Sequence, residues 1–279
     1  MTHQEPICVT SYNTTGFNIS VQNFLTTLAL FSNIICIQEH FLLDSKDKNY
    51  SNTNKIRKIL GCSHDMFITP AFKENKQVSR GRGKGGLATL WNKSLTKYVS
   101  KIDCQNFRLQ ATKFSFPSGS FLLLNTYFPC DPRVNNFDET ELLTLLSDIK
   151  QIMRKENCIY NLVLGDINCH FQRKTSFTTV VENFFNELNF KIFWEIEDLN
   201  LKEEYNLQDI QYTYSQSVNN QLVKSTIDHF VSNDIVLKSV TEAGVIHSGE
   251  NPSNHSPIFV KLQLNGIDPS TEKSKCPSV

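Results

Sequence analysis

The stretch Asn161-Leu-Val-Leu-Gly-Asp-Ile-Asn-Cys-His170 guides the interpretation of the whole chain. Residues 161–164, which are apolar after Asn161, are typical of a buried strand, and Gly165 ends it. Asp166 and Asn168 follow at the carboxyl end of that strand, the edge where open α/β sheets build their sites. Because strand side chains alternate, both are predicted to face one side and to offer a carboxylate and an amide to one point. A hard divalent cation, a phosphate or a water fits there, and a turn that merely closes the strand fits equally well.

The composition indicates a chain with a sizeable core and no membrane span. Of its 279 residues, 39% are hydrophobic, which is enough for one large core or two small domains. No apolar run approaches the roughly 18 residues of a membrane helix, and the N-terminus lacks the profile of a signal peptide. Lys+Arg and Asp+Glu balance at 28 each. This balance does not exclude a polyanionic partner, because a local basic patch is enough to hold phosphates.

The eight cysteines are scattered, and no two of them form a CxxC pair. Several lie inside apolar runs, as Cys8 and Cys36 do. We therefore predict reduced core cysteines in an intracellular protein, rather than a disulfide framework or a zinc site.

The first forty residues predict a strand–helix–strand unit. A unit of this size favours parallel pairing, which brings Asn13 and Glu39 to the same edge of the sheet. Its segments are a strand at 7–12, a helix at 19–31 with Ser20 as N-cap, and a strand at 34–37.

The middle of the chain predicts an antiparallel meander. Its five strands are 64–70, 86–91, 96–102, 106–116 and 121–127. The basic, glycine-rich run Ser79-Arg-Gly-Arg-Gly-Lys-Gly-Gly86 lies inside the meander. It is either a solvated hairpin loop or an arm in which Arg80, Arg82 and Lys84 contact phosphates.

The remainder predicts further helices and strands within one domain, residues 5–265, followed by a disordered tail at 266–279. The clearest helix, 138–155, carries an apolar stripe that belongs to the core. The other segments are a helix at 178–188, an acidic irregular stretch at 194–209, and strands at 212–214, 225–232 and 258–262, with Asp228 in the middle of the second.

Polar groups recur at the predicted strand ends. We expect the alternating order of the elements to bring these groups together at one edge of the sheet. They are Asn13, Glu39, Tyr127, Asp166, Asn168, Asp228 and His255. Their blocks are Ser-Tyr-Asn, Ile-Gln-Glu, Asn-Thr-Tyr-Phe-Pro, Gly-Asp-Ile-Asn, and Thr-Ile-Asp-His followed by Asn-His-Ser-Pro. In this order the chain resembles the endonuclease/exonuclease/phosphatase family from Tyr12 to Pro257. Residues 85–91 and 124–129 look most like the endonuclease domain of non-LTR retrotransposon polyproteins.

The resemblance implies an α/β fold, a four-layer sandwich of two mixed, mainly antiparallel sheets packed face to face with helices outside. It implies a Mg²⁺-dependent DNA endonuclease, with Mn²⁺ able to substitute, that nicks a strand to leave a 3′-hydroxyl. Glu39, assisted by Asn13, would hold the metal. His255, oriented by Asp228, would be the general base or an electrostatic partner.

The same resemblance assigns the other site residues. Asp166 would align or deprotonate the attacking water, Asn168 would donate a hydrogen bond to the phosphate, and Tyr127 would contact it. Thr213 matches a position near the DNA groove. The chain departs from the family's Ser-Asp-His pattern at Asn254, which keeps the shape near the metal and removes a charge. We expect weaker metal binding and lower activity rather than a dead enzyme.

The implied partner is DNA, with no membrane, in an intracellular, nuclear protein. The chain is either an isolated domain or a fragment of a longer LINE-type reverse-transcriptase polyprotein. Three alternatives stay open at this point: an abasic-site repair endonuclease, a phosphatase or phosphodiesterase of the same fold, and a degenerate copy that binds nucleic acid without catalysis. Neither the target sequence nor the oligomeric state follows from the sequence.

Overall fold

Fourteen strands and six α-helices form the chain in a computed structural model, which describes residues 5–44, 53–72, 83–117, 119–130, 139–196, 199–204, 207–208 and 210–264. The strands are β1 Ile7–Asn13, β2 Ile34–Gln38, β3 His64–Thr69, β4 Leu87–Asn92, β5 Val99–Ile102, β6 Leu109–Phe116, β7 Gly119–Tyr127, β8 Tyr160–Asp166, β9 Lys191–Ile192, β10 Tyr214–Val218, β11 Gln221–Ser225, β12 Asp228–Ser232, β13 Val240–Val245 and β14 Ile258–Leu262. The helices are α1 Ile19–Leu28, α2 Asn54–Leu60, α3 Glu139–Glu156, α4 Ser176–Glu187, α5 Leu199–Glu204 and α6 Asp234–Leu237.

Twelve of these strands build two six-stranded sheets, and β10 pairs with β11 in a separate hairpin. The first sheet has the order β13-β14-β1-β2-β4-β3, and the second has the order β5-β6-β7-β8-β12-β9. Both sheets are mixed, because β1 with β2 and β7 with β8 pair in parallel while the other pairs are antiparallel.

Three apolar clusters arrange the sheets and helices in four layers. One cluster joins the facing sides of the two sheets, with Ile34 and Cys36 from β2 meeting Leu162 and Leu164 from β8. The alternate residues of the same strands point outward, where α1 and α2 cover the first sheet and α3 and α4 cover the second. Strands that are buried on both faces explain the unbroken apolar runs in the sequence. The predicted sandwich is confirmed.

The predicted antiparallel meander is wrong, because its five strands belong to different sheets. Strands β3 and β4 lie in the first sheet, and β5, β6 and β7 lie in the second. A 3-10 helix at Lys93–Tyr98 connects them where a strand was predicted to begin. Leu95 of this helix is buried between the sheets, so the chain changes sheet without exposing its apolar residues.

Several element boundaries also differ from the prediction. Asn18, rather than Ser20, caps α1, because its side chain accepts the N–H of Val21. The stretch predicted to be irregular contains α5 and a 3-10 helix at Phe193–Glu195. Asp228 begins β12 instead of lying in its middle, which places it at the edge of the sheet. The proposed tail at 266–279 lies outside the described residues.

A buried polar network fixes the two sheets against each other below the site. Gln38 of β2 donates a hydrogen bond to Asn125 of β7 (2.7 Å), and Asn125 donates to the carbonyl of Ala88 (3.1 Å). Thr89 of β4 donates to Gln110 of β6 (2.7 Å). All four side chains of the network are fully buried, so each bond between the sheets is protected from water and helps set their register.

Two predictions about composition can be compared with the described part of the chain. No disulfide links any of its seven cysteines. None of its helices is both long and apolar enough to cross a membrane.

Candidate active site

The amide of Asn13 joins the edges of the two sheets. Its Nδ2 donates to Oε1 of Glu39 (2.8 Å) and to Oδ2 of Asp166 (2.9 Å). Asn13 ends β1 and pairs with Gln38, so Glu39 follows directly on the neighbouring strand, while Asp166 ends β8 in the facing sheet. Strand ends that are far apart in sequence therefore meet at one point. They come from the edges of two facing sheets, and not from one sheet edge as predicted.

The orientation of the Asn13 side-chain amide suits a residue that positions two carboxylates better than a residue that binds a metal. Its Oδ1 accepts the N–H of Thr15 (3.0 Å), which leaves the amide nitrogen facing the two carboxylates. Asn13 was predicted to assist in metal binding with Glu39. In this arrangement it holds the carboxylates of Glu39 and Asp166 in place, and its oxygen points away from them.

His255 and Asp228 form a buried dyad beside Asp166. The Nδ1–H of His255 donates to the two carboxylate oxygens of Asp228, at 2.9 and 3.1 Å. Its Nε2 faces Asp166, with 4.0 Å to Oδ2. Asp228 and Asp166 are direct partners across the antiparallel pair of β12 and β8. The dyad thus presents one imidazole nitrogen to the carboxylate that Asn13 holds.

Burial and crowding shift the pKa values of this site. Burial raises the pKa of Asp166 to about 8, and the carboxylates of Asp228 and Glu39 act in the same direction, while His255 and Asn13 oppose them. Burial alone would lower the pKa of His255, but the hydrogen-bonded Asp228, together with Asp166 and Glu39, raises it to about 9. Several carboxylates compete for little positive charge, so a bound cation would be favourable here.

Three residues support the dyad from the side of the protein interior, and they are Thr213, Ser253 and Asn251. The Thr213 hydroxyl accepts the backbone N–H groups of Ile227 and Asp228, both at 3.0 Å, and the side chain is fully buried. Thr213 was predicted to lie near the DNA groove. Its side chain instead positions Asp228 from the interior.

Asn251, which no sequence motif singled out, also supports the dyad. This side chain donates to the backbone oxygen of His255 (2.7 Å) and accepts from the hydroxyl of Tyr12 (2.7 Å). Ser253 donates to the carbonyl of Asn13 (2.8 Å) and accepts the N–H of His255 (3.1 Å). Polar residues just before the histidine were the only sequence signal for this support.

Tyr127 and Asn168 flank Asp166 from the second sheet. Tyr127 is the register partner of Asp166, is half-buried, and has a pKa raised by burial and by the nearby carboxylate of Glu39. Asn168 leaves the extended conformation with φ of 53°, and its backbone N–H donates to Oδ1 of Asp166 (3.0 Å). Its side chain donates to the carbonyl of Phe128 (2.8 Å), so only part of its amide is directed at the site.

The remaining predicted residues lie further out or outside the described range. The Asn254 side chain is exposed, and its backbone oxygen accepts the N–H of Ser215 (2.9 Å). Lys84 is exposed on a loop whose backbone pairs with Phe72. Arg80 and Arg82 lie outside the described residues.

The donor set fits a hard divalent cation. In the described part of the chain, Asp166, Asp228 and His255 place ligand atoms within 4.8 Å of one another. His255 already uses Nδ1 on Asp228, so Glu39 and Asp166, held by one amide, are the oxygen donors best placed for Mg²⁺. Burial and the neighbouring carboxylates raise the pKa of Asp166, and a bound cation would favour its charged form.

Comparison with known proteins yields structural matches only. No protein-family profile and no curated protein sequence matches the chain. The endonuclease domain of TRAS1, a telomere-specific non-LTR retrotransposon, matches with a TM-score of 0.62 and 13% identity, over 93% of this chain and 100% of its own. The AP endonuclease LMAP from Leishmania major matches with 0.68 and 13%, over 93% and 88%. The 3′ phosphatase NExo from Neisseria, bound to a product DNA hairpin, matches with 0.65 and 14%, over 92% and 100%.

These likenesses, together with the two mixed sheets and their covering helices, define the class. The chain has the endonuclease/exonuclease/phosphatase fold. At 13–14% identity the structural neighbours establish the fold alone. Its chemistry has to be argued from its own residues.

Proposed function

We propose that this chain is a metal-dependent phosphodiesterase that nicks DNA and leaves a 3′-hydroxyl. The observation that carries the proposal is the meeting of Asn13, Glu39, Asp166 and the His255–Asp228 dyad where the edges of the two sheets face each other. Carboxylates arranged to hold a cation, beside a cationic imidazole, suit a transition state in which charge develops on phosphate.

The proposed roles follow the hydrogen bonds. Glu39 and Asp166 hold Mg²⁺, which when bound neutralises charge on the phosphate and on the leaving oxygen. Asp166 orients the attacking water and takes its proton. His255, kept charged by Asp228, stabilises the phosphate oxygens, with Asn168 and Tyr127 as further contacts. The water oxygen bonds to phosphorus and the bond from phosphorus to the 3′-oxygen breaks. The 3′-oxygen takes up a proton from water to become the 3′-hydroxyl, and the phosphate stays on the 5′ end.

The surface around the site supports an extended, anionic substrate. The β10–β11 hairpin stands beside the dyad, and the ring of Tyr214 packs edge-on against His255 with 4.8 Å between the ring centroids. Exposed apolar side chains on this hairpin, Val218 and Leu222, suit contact with a groove. Arg173 donates to the carbonyl of Lys224 (3.2 Å), which brings two cations to its base.

The test is nicking of supercoiled plasmid over a titration of Mg²⁺ and of Mn²⁺. Wild-type protein should nick only with metal, and Asp166→Ala should abolish the reaction. Asp103→Ala, which removes an exposed carboxylate, is the matched control and should nick normally. Extension of the nick by a DNA polymerase, without prior end repair, tests for the 3′-hydroxyl.

Other outcomes distinguish the alternatives. Cleavage restricted to duplexes with an abasic site would indicate a repair endonuclease. Phosphate release from 3′-phosphorylated oligonucleotides without nicking would indicate a phosphatase. A folded protein that binds DNA and cuts nothing at any metal concentration would indicate a degenerate copy.

The retrotransposon role is the finer part of the proposal. It is supported by the match to the TRAS1 endonuclease domain and by the sequence style of residues 85–91 and 124–129. It entails a nuclear location and a longer LINE-type polyprotein with a reverse transcriptase. Mapping nicks over long genomic DNA should reveal a preferred target, and random nicking would contradict this role.

A further inference from the structure

Two aromatic rings lie beside the site on the flank opposite the hairpin. The rings of Phe72 and Phe107 have centroids 4.1 Å apart and are tilted by 52°. Both side chains are half-buried, whereas the core phenylalanines of β6 and β7, Phe114 and Phe121, are fully buried. The pair therefore keeps part of its aromatic surface accessible.

Arg108 extends this aromatic surface toward the site. Its guanidinium lies over the ring of Phe107 (5.0 Å) and over the ring of Tyr127 (4.9 Å). Glu141 fixes it through Nε (2.8 Å), and Nη1 donates to the carbonyl of Tyr127 (3.3 Å). The planar, positively charged guanidinium of Arg108 is therefore held between the two rings.

Arg108 is linked to the catalytic carboxylates through the neighbouring strands. The N–H of Tyr127 donates to the carbonyl of Arg108 (3.0 Å), and Tyr127 pairs with Asp166. Two strand spacings, roughly 10 Å, therefore separate Arg108 from Asp166. Gly85 lies next to this surface, since a Cβ there would lie 3.9 Å from Cδ2 of Phe107 and 4.0 Å from Cδ1 of Tyr127, so the glycine adds no side chain over the two rings.

We infer that Phe72 and Phe107 form a stacking subsite for an unpaired DNA base one to three nucleotides from the scissile phosphate. This inference rests on the proposed function. A strand whose phosphate lies at Asp166 reaches Phe107 within a few nucleotides, because stacked bases advance about 3.4 Å each. A base out of the duplex offers a π-face to the rings. The chain would thus prefer DNA that is locally unpaired next to the cut.

Binding to two matched probes tests this inference. Both are short duplexes of one sequence, and one carries an internal stretch of unpaired bases that contains 2-aminopurine. All proteins carry Asp166→Ala so that the DNA stays intact. The parent should bind the unpaired probe more tightly and quench its fluorescence.

Phe107→Leu keeps apolar volume and loses the π-face. It should weaken binding to the unpaired probe by about tenfold, restore its fluorescence and leave binding to the paired probe unchanged. Phe107→Tyr should behave as the parent does. Phe31→Leu, at an exposed phenylalanine on the helical side of the first sheet, is the matched control and should change nothing.

Equal binding of both probes by the parent, or equal binding by Phe107→Leu and the parent, would overturn the subsite. The proposed function is read separately, from plasmid nicking by proteins that retain Asp166. A chain that nicks with metal and shows no preference for unpaired bases would keep its function and lose this inference. A chain that prefers unpaired bases and never nicks would keep this inference and lose the proposed function.

Discussion

The imidazole of His40 lies directly against the α-carbon of Gly86. A Cβ at Gly86 would lie 2.5 Å from Cε1 and 2.7 Å from Nδ1 of that ring, and the φ of Gly86 is +93°. His40 is fully buried and accepts the N–H of Leu42 at Nδ1 (3.0 Å). It follows Glu39, whose φ of 53° is unusual for a residue with a side chain. The glycine therefore makes room for the buried ring that follows Glu39, and displacing that ring would disturb the turn in which Glu39 has its strained conformation.

Gly86→Ala should destabilise the protein and reduce nicking together. Displacing a buried ring and forcing alanine to a positive φ should cost roughly 2 kcal/mol or more in the free energy of unfolding. Urea unfolding and plasmid nicking measure the two effects. Gly249→Ala is the matched control, because a Cβ there meets nothing within 4 Å. Normal stability and nicking in Gly86→Ala would contradict the role given to His40.

Acid should destabilise the protein through two buried histidines. Burial lowers the pKa of His40 and of His229 from 6.5 to about 4. The unfolded chain binds protons more readily at these positions, so their contribution is present above pH 6.5 and is lost as the pH falls toward 4. The contribution of these two histidines to the free energy of unfolding should be lower at about pH 5 than at about pH 7.

His229→Gln should reduce that pH dependence, since glutamine cannot take up the proton. Its amide can still donate to the carbonyl of Cys169, as His229 Nε2 does at 2.8 Å. His247→Gln, at an exposed histidine, should keep the wild-type slope. An unchanged slope in His229→Gln would show that the acid sensitivity arises elsewhere.

Alkaline pH should destabilise the metal-free protein through the active site. The folded pKa values of Asp166, about 8, and His255, about 9, lie above their ordinary values of 3.8 and 6.5. The folded state therefore holds protons that the unfolded state has released. This stability falls as the pH rises above the ordinary values of 3.8 and 6.5, and it is fully lost once the pH has passed the folded values of about 8 and 9. A cation can replace those protons.

Mg²⁺ should accordingly raise the melting temperature more at about pH 8.5 than at about pH 6.5. Glu39→Gln should reduce the effect of Mg²⁺, and Asp103→Asn should not. Equal Mg²⁺ shifts at both pH values would contradict a cation competing with protons at Asp166 and His255.

Much of this site could be predicted because its residues sit at the ends of apolar strands. Asn13, Glu39 and Asp166 are visible in the sequence as polar groups that follow strands, and pairing brings such ends together. Partition of the meander between two sheets was not visible, since strands look alike in sequence whichever sheet they join. The hydrogen bond from Tyr12 to Asn251 was not visible either, because the two residues are 239 positions apart. Contacts of that kind depend on the completed fold.

Asn254→Asp should lower the Mg²⁺ concentration needed for nicking. The added carboxylate supplies the negative charge that the family pattern has beside the histidine, and charge near a metal site raises its affinity. The readout is the half-saturating Mg²⁺ concentration in the plasmid assay. Asn254→Ala, which removes the exposed amide, should resemble the wild type. No change in Asn254→Asp would mean that this position does not act on the metal.

Thr213→Val should slow nicking without weakening DNA binding. Valine keeps the shape of this buried side chain and removes the hydroxyl, leaving the N–H groups of Ile227 and Asp228 without their acceptor. We expect a loss of about 1–3 kcal/mol in unfolding free energy and a lower kcat, because Asp228 no longer orients His255 firmly. Thr213→Ser retains the acceptor and should restore both. A weaker Kd for DNA with unchanged stability and kcat would instead place Thr213 at the DNA surface, as its sequence position first suggested.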